Sequence, residues 1–219
     1  MEHEQKRKNV IFLSSSAINL AKIFAQNNTH YDVFLILDKR FPFSIEDETL
    51  DNFYSFTFDK KKIFEKDKER YFDNLALFLE DFSPDIIVCN NYYKLLPQSF
   101  IDFMKFRNSK LQIINIHHAD LRIKDENENR LYKGLQADIK EMIDEAMIIS
   151  TIHTIDDAQM DEGNHIMYSY ETTIKELKQK GIAKKKEDIL NYSIRGRIIS
   201  YHERTKVLKL LTKGIDSFW

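Results

Sequence analysis

The chain is poor in the residues that would signal a special architecture. It has one cysteine, Cys89, so no internal disulfide can form, and a reducing compartment is the simple expectation. Cys89 ends the apolar run Ile86-Ile87-Val88-Cys89, where a buried, inert thiol is expected rather than a nucleophile. With 5 glycines and 3 prolines in 219 residues, no linker-like stretch argues for two small domains. The formal net charge is only -2, which lacks the basic excess of a general nucleic-acid binder. No apolar run approaches the roughly 20 residues that span a bilayer. The opening Met1-Glu2-His3-Glu4-Gln5-Lys6-Arg7-Lys8 has no apolar centre like that of a secretory signal. A soluble, cytoplasmic protein with neither nucleic-acid nor membrane partners is therefore expected. No internal repeat is present, and the Lys60-Lys61-Lys62 and Lys184-Lys185-Lys186 runs read as solvated surface.

What is present is an ordinary globular balance: 42% hydrophobic and 31% charged residues, enough for one α/β domain with a sizeable core. Residues 1–219 are read as that single domain, with 1–8 as a disordered tail. The 16 phenylalanines and 10 tyrosines are spread along the whole chain, which reflects composition more than function.

Short apolar runs alternate with longer helical stretches. Strands are expected at 9–13, 31–37, 86–89, 111–116 and 147–154, with a further one near 166–170. Helices are expected at 17–27, at 71–82, after Pro97, and at 134–146. A long, charged amphipathic helix is expected over 186–213, packed on its own sheet or against a second subunit of a homodimer. The alternation indicates an α/β fold, Rossmann-like, around a mostly parallel sheet. In such folds ligands bind beyond the carboxyl ends of the strands. The segments to inspect are therefore 14–19, 90–94, 115–120 and the residues after Thr154.

Asn115 and His117 stand two apart at a strand end, so their side chains face the same side. An amide donor beside an imidazole suits a developing oxyanion. A nearby carboxylate would raise the histidine's pKa and could accept a proton through water. Asp120, Asp156, Asp157 and Asp161 are the candidates, and spacing does not choose among them. His117, His118, His153, His165 and Asp161 match no standard zinc spacing, so no metal is expected. His153 lies in an apolar strand and reads as a packing residue, while His118 and His165 carry no assigned role. The turn Ser14-Ser15-Ser16-Ala17-Ile18-Asn19-Leu20 could cap a helix or bind an anion at its N-terminus.

Together these segments resemble the folate-dependent formyltransferases. Asn115-Ile116-His117 resembles that family's Asn-[Ile/Leu]-His motif. Tyr132-Lys133-Gly134-Leu135-Gln136-Ala137 is similar to its aromatic-Lys/Arg-Gly segment. Ser150-Thr151-Ile152-His153 is similar to its Thr-Val-His strand, and Asp161-Glu162-Gly163-Asn164-His165-Ile166 to its Asp-x-Gly-x-x-Ile element. Val10-Ile11-Phe12-Leu13-Ser14 followed by Asn19-Leu20 resembles the N-terminal signature. Asn91-Tyr92-Tyr93-Lys94-Leu95-Leu96 resembles the Gly-Phe-Met-Arg-Ile-Leu folate segment. The likeness spans most of 9–170.

The resemblance implies a formyl-tetrahydrofolate donor and an amine acceptor. Asn115 and a charged His117 would stabilise the oxyanion. Asp161 would hold His117 charged and help remove the amine proton. Backbone at Tyr93, Lys94, Leu95 and Leu96 would contact the pterin, and Ser16, Ala17, Ile18 and Asn19 the acceptor's phosphate. Length and organisation most resemble the phosphoribosylglycinamide-formylating branch, which would place the chain in purine biosynthesis. An amino-sugar nucleotide acceptor, hydrolysis of the donor, and a non-catalytic role are the alternatives.

The pattern also departs from the family's. Its Ser-Gly-x-Gly-Ser-Asn-Leu loop is here without either glycine, and Ile18 replaces a hydroxyl. That bears on a phosphorylated acceptor more than on the donor. The stretch 121–131 is rebuilt and highly charged. One extra residue separates His153 from Asp161, which a bulge could absorb.

Overall fold

The computed structural model describes residues 7–15, 19–38 and 50–218. The chain divides into two compact units, one of residues 1–114 with 156–158 and one of 115–155 with 159–219.

The first unit is a wound parallel sheet. Its elements are β1 (Lys8–Ser14), α1 (Asn19–Asn27), β2 (Tyr31–Leu37), β3 (Phe53–Thr57), α2 (Lys61–Lys66), α3 (Lys68–Glu80), β4 (Ile86–Asn90), α4 (Gln98–Arg107) and the first residues of β5 (Gln112–His117). The strands lie in the order β3-β2-β1-β4-β5. β1 pairs in parallel with β2 and β4, and β2 with β3. The chain thus reverses its direction of winding between β1 and β4, the point beyond which such sheets bind ligands. Val10, Ile11, Phe12 and Leu13 are all buried, as a continuous apolar run in a parallel strand requires. Pro97 is the N-cap of α4 rather than its first residue, so its missing N–H leaves no helical bond unmade. Phe56 and Tyr54 of the edge strand β3 are exposed, which is why hydropathy gave no sign of it. Burial pushes the Cys89 thiol up to about 12, so it is inert at neutral pH.

The second unit continues from the end of β5 through α5 (Ala137–Glu145), β6 (Met147–Ile148), β7 (Thr151–Thr154), β8 (His165–Tyr168), β9 (Thr172–Thr173) and α6 (Ile174–Gln179). A 3-10 turn (Lys186–Leu190), α7 (Tyr192–His202), a π-helical segment (Glu203–Val207) and α8 (Leu208–Asp216) complete it. β7 and β8 are antiparallel, as are β6 and β9. Met142, Ile148, Leu177, Ala183, Ile189 and Ile198 form its buried core.

Three expectations are corrected in this unit. The helix expected over 134–146 begins only at Ala137, because Gly134 and Gln136 adopt left-handed backbone (φ 79 and 66). The strand expected over 147–154 is two strands. Between them the Ile149 N–H goes to the Glu141 carboxyl and the Ser150 N–H to Ser169 Oγ, so neither joins a ladder. The single helix expected over 186–213 is interrupted at Asn191, whose side chain accepts from the Ser193 and Ile194 N–H groups and caps α7. A π turn interrupts it again after His202.

Candidate active site

β5 carries Asn115 and His117 on one face, and both reach the same atom. Asn115 Nδ2 and His117 Nδ1 each lie 3.4 Å from Asp161 Oδ1. Asp161 approaches from the loop between β7 and β8, where it adopts left-handed backbone at φ 55. The β7–β8 register shifts by one residue between Ile152 and His153, where Met167 and His165 are the partners, so the irregularity lies on β8, after Asp161. Of the other carboxylates considered, Asp120 is held by the Arg122 guanidinium. Asp156 pairs with Lys105 at 3.2 Å in the first unit.

Main-chain groups complete the cluster. The Tyr132 carbonyl oxygen lies 2.7 Å from His117 Nε2, and the Gly134 N–H donates to Asp161 Oδ2 at 2.7 Å. The 132–134 segment therefore supplies backbone, not side chains, and the left-handed Gly134 aims its N–H. Arg130, from the charged stretch 121–131, donates to the carbonyls of Asp161 and Gly163 and clamps the loop. Gly163 has no room for a Cβ, which would stand 1.6 Å from the Thr154 carbonyl oxygen.

His153, read from the sequence as a packing residue, belongs to the cluster. Its Nε2 lies 3.1 Å from Asn115 Nδ2 and 3.4 Å from Asp161 Oδ1, and its Nδ1 lies 3.0 Å from the Thr154 carbonyl. Its place in an apolar strand hid it, although it also stands in the Thr-Ile-His segment.

The electrostatics are opposed. Burial raises the proton affinity of Asp161, but the His153 bond, the His117 ring and the Gly134 N–H outweigh it and hold the carboxyl down at about 2. For His117 burial dominates and lowers its pKa below the ordinary imidazole value, against the raising effects of Asp161 and the Tyr132 carbonyl. Burial thus favours the neutral imidazole at rest, whereas the motif resemblance implies a charged ring during the reaction. Both ring nitrogens nevertheless face acceptors, so a proton that arrives on the ring is held on both sides.

The formyl transferase family model matches residues 7–190. The chain belongs to the formyl transferase family. Among solved structures it is similar to phosphoribosylglycinamide formyltransferase (PurN) from Coxiella burnetii, determined in complex with CHES. The TM-score is 0.62 at 14% identity, over 94% of this chain and 85% of that one. It is also similar to PvdF of pyoverdin biosynthesis, described as a structurally unique N10-formyltetrahydrofolate-dependent formyltransferase. There the TM-score is 0.51 at 14% identity, over 94% and 100% of the two chains. At that identity the likeness shows a shared fold. No curated protein sequence matches significantly.

The other residues singled out for a formyl transferase lie in the first unit. Ser16, Ala17 and Ile18 lie outside the described residues, and Asn19 is the exposed first residue of α1. Tyr93 and Leu95 are exposed and Leu96 is buried. The Tyr93 N–H is committed to Ser15 Oγ at 3.2 Å. Ser15 Oγ donates to Asp38 at 2.9 Å, and Lys94 is ion-paired with the same carboxylate. The Lys94 ammonium also lies 5.1–5.5 Å from the ring centres of Phe64, Tyr71 and Tyr92, where cation–π attraction helps hold it. This Ser15–Asp38–Lys94 group joins the carboxyl ends of β1, β2 and β4. Sequence gave no sign of it, because Asp38 stands alone after its strand. No helix among the described residues is long and apolar enough to cross a membrane.

Proposed function

We propose that this protein transfers a formyl group from N10-formyl-tetrahydrofolate to a primary amine. The observation that carries the reading is the convergence of Asn115, His117 and Asp161 on one carboxylate oxygen, inside a chain of the formyl transferase family. The acceptor nitrogen attacks the formyl carbon, a C–N bond forms, and the carbonyl electron pair moves onto oxygen. Asn115 Nδ2 donates to that oxyanion in place of its long 3.4 Å contact with Asp161. The surplus amine proton passes to the His117–Asp161 pair, where Asp161 and the Tyr132 carbonyl bracket the imidazolium. Collapse breaks the bond from the formyl carbon to N10, and the proton follows to N10. A neutral resting His117 suits this course, because the ring gains its charge as the oxyanion forms.

Phosphoribosylglycinamide is the first acceptor to test, on the resemblance of the motifs and the similarity to PurN. A second reading, an acceptor without a phosphate at this position, is favoured by the first unit. Ser15 there is turned to Asp38, and the Lys94 ammonium is already paired. The test is donor consumption with phosphoribosylglycinamide, with an amino-sugar nucleotide, and with no acceptor. Turnover with the first alone supports the leading acceptor. Turnover without an acceptor indicates hydrolysis. His117→Ala is expected to lower turnover by at least about 100-fold, and an unchanged rate would refute the assigned chemistry.

A further inference from the structure

His118, next to His117, enters a different buried cluster. Its Nδ1 lies 2.9 Å from Ser150 Oγ and its Nε2 lies 3.2 Å from Glu203 Oε1. Ser150 Oγ is also 2.9 Å from His202 Nε2, which is 3.2 Å from Ser169 Oγ, and His202 Nδ1 is 2.8 Å from Thr172 Oγ1. Ser150, Thr172 and His202 are fully buried, and Glu203 nearly so.

The hydrogens in this cluster can be assigned by elimination. Ser169 Oγ gives its only hydrogen to the Tyr170 carbonyl, so toward His202 it can only accept. The proton of His202 is therefore on Nε2. Burial, with smaller effects of His118 and Lys206, holds His202 down at about 3 and hence neutral. Its bare Nδ1 accepts from Thr172. The one His202 Nε2–H is shared between Ser169 Oγ and Ser150 Oγ, so Ser150 accepts there and gives its own hydrogen to His118 Nδ1. His118 then carries a proton on Nε2, the nitrogen that faces Glu203. The donors run one way, Thr172 to His202 to Ser150 to His118, and end on a carboxylate. The last link is a 3.2 Å polar contact rather than an aligned hydrogen bond.

Two further features tie this chain to the site. The π segment begins at Glu203, and π turns are concentrated where a helix must present particular side chains. Here two consecutive residues, His202 and Glu203, both point inward. His118 opens the bend that follows β5, one peptide unit past His117. A ring anchored at 118 therefore fixes the direction from which the ring at 117 is presented.

We propose that His118 and Glu203 are positioning residues for His117, latching the end of β5 to the C-terminal helical segment through Ser150. The proposal rests on the reading of His117 as the group that handles the proton. Among the described residues, Glu203 and His202 from the C-terminal segment and His117 from its own bear on His118. Lys206, which bears on His202, is paired with Glu176.

The test uses the full chain with labelled histidine and follows the ring nitrogens of His117 by NMR through a pH titration, alongside kcat and KM. His118→Asn keeps a side-chain link toward Ser150 and loses the Glu203 contact, while Glu203→Gln removes only the charge. His118→Asn is expected to raise the His117 midpoint, since His118 lowers it, and Glu203→Gln to lower it through the loss of a nearby negative charge, each by about half a pH unit. Both should lower kcat by about tenfold or more at unchanged KM. Glu203→Asp, which restores the charge, is expected to recover part of each effect. A His117 titration and tautomer unchanged in Glu203→Gln would overturn the proposal, even if His118→Asn shifted them, because His118 would then act alone. Should Glu203→Gln fail to fold, an unchanged titration in Ser150→Ala has the same force. The NMR measurement needs no substrate. A moved titration without any formyl transfer would fail the functional reading alone, and transfer with an unmoved titration would fail this inference alone.

Discussion

Asp161→Asn separates charge from shape at the centre of the cluster. A carboxyl held from its ordinary 3.8 down to about 2 stabilises the folded state by about 2 kcal/mol at pH 7. The sign follows from the depressed value. The contribution is complete above the unfolded carboxyl's pKa and disappears as pH falls through about 2, so about half remains near pH 3. The asparagine adds a second, pH-independent cost. The Asp161 oxygens are approached by Asn115 Nδ2, His117 Nδ1, His153 Nε2 and the Gly134 N–H. An amide NH₂ placed among them faces at least one other donor, at a cost of about 1–3 kcal/mol. Urea unfolding of both proteins at pH 7, 5 and 3 is expected to show a gap of about 3–5 kcal/mol at pH 7 that narrows by about 1 kcal/mol at pH 3. The His117 midpoint should also fall in the variant, since Asp161 raises it. A gap that stays constant from pH 7 to pH 3 would refute the account of Asp161 as a carboxylate held by its donors.

The opposite slope is expected at higher pH from Glu141. Burial pushes this carboxyl up to about 8, although the Asp120 and Ile149 N–H groups oppose the rise. A raised acid is most favourable to folding below its unfolded pKa, and that advantage is lost as pH climbs through about 8. Stability should therefore fall between pH 5 and pH 8, by as much as roughly 4 kcal/mol. Glu141→Met should flatten the fall, and an equally steep loss in that variant would assign the slope to another group. Gly163→Ala forces a Cβ against the Thr154 carbonyl. It should lower the melting temperature, with a loss of at least about 2 kcal/mol, and displace Asp161. A variant as stable as wild type would show that the loop yields there.

The parts of the fold that hydropathy marks were legible in the sequence: the buried runs of β1, β2, β4 and β5, and the helices α3 and α4. What was not legible depends on partners. The segment 147–154 is mostly apolar or β-branched, and nothing local shows that Glu141 and Ser169 capture two of its N–H groups. The stretch 186–213 has helical composition throughout, and only the capping geometry of Asn191 ends one helix and starts another. At the cluster, the same-face relation of Asn115 and His117 was legible from strand period alone. The proximity of Asp161 came from resemblance. The contributions of Tyr132 and Gly134 are main-chain groups, which residue chemistry does not advertise.

The pair His117-His118 shows why side-chain type underdetermines role. Two identical residues, adjacent at the end of one strand, are both buried. One faces a carbonyl and a carboxylate brought from 15 and 44 residues further along the chain, at Tyr132 and Asp161. The other faces a serine hydroxyl 32 residues away and the carboxylate of Glu203. His117 ends the strand and His118 opens the bend after it, and the segments that close over each ring then decide their chemistry. The two clusters remain linked by a single peptide unit. A change in how Glu203 holds His118 is therefore felt at His117 without any atom of Glu203 touching it.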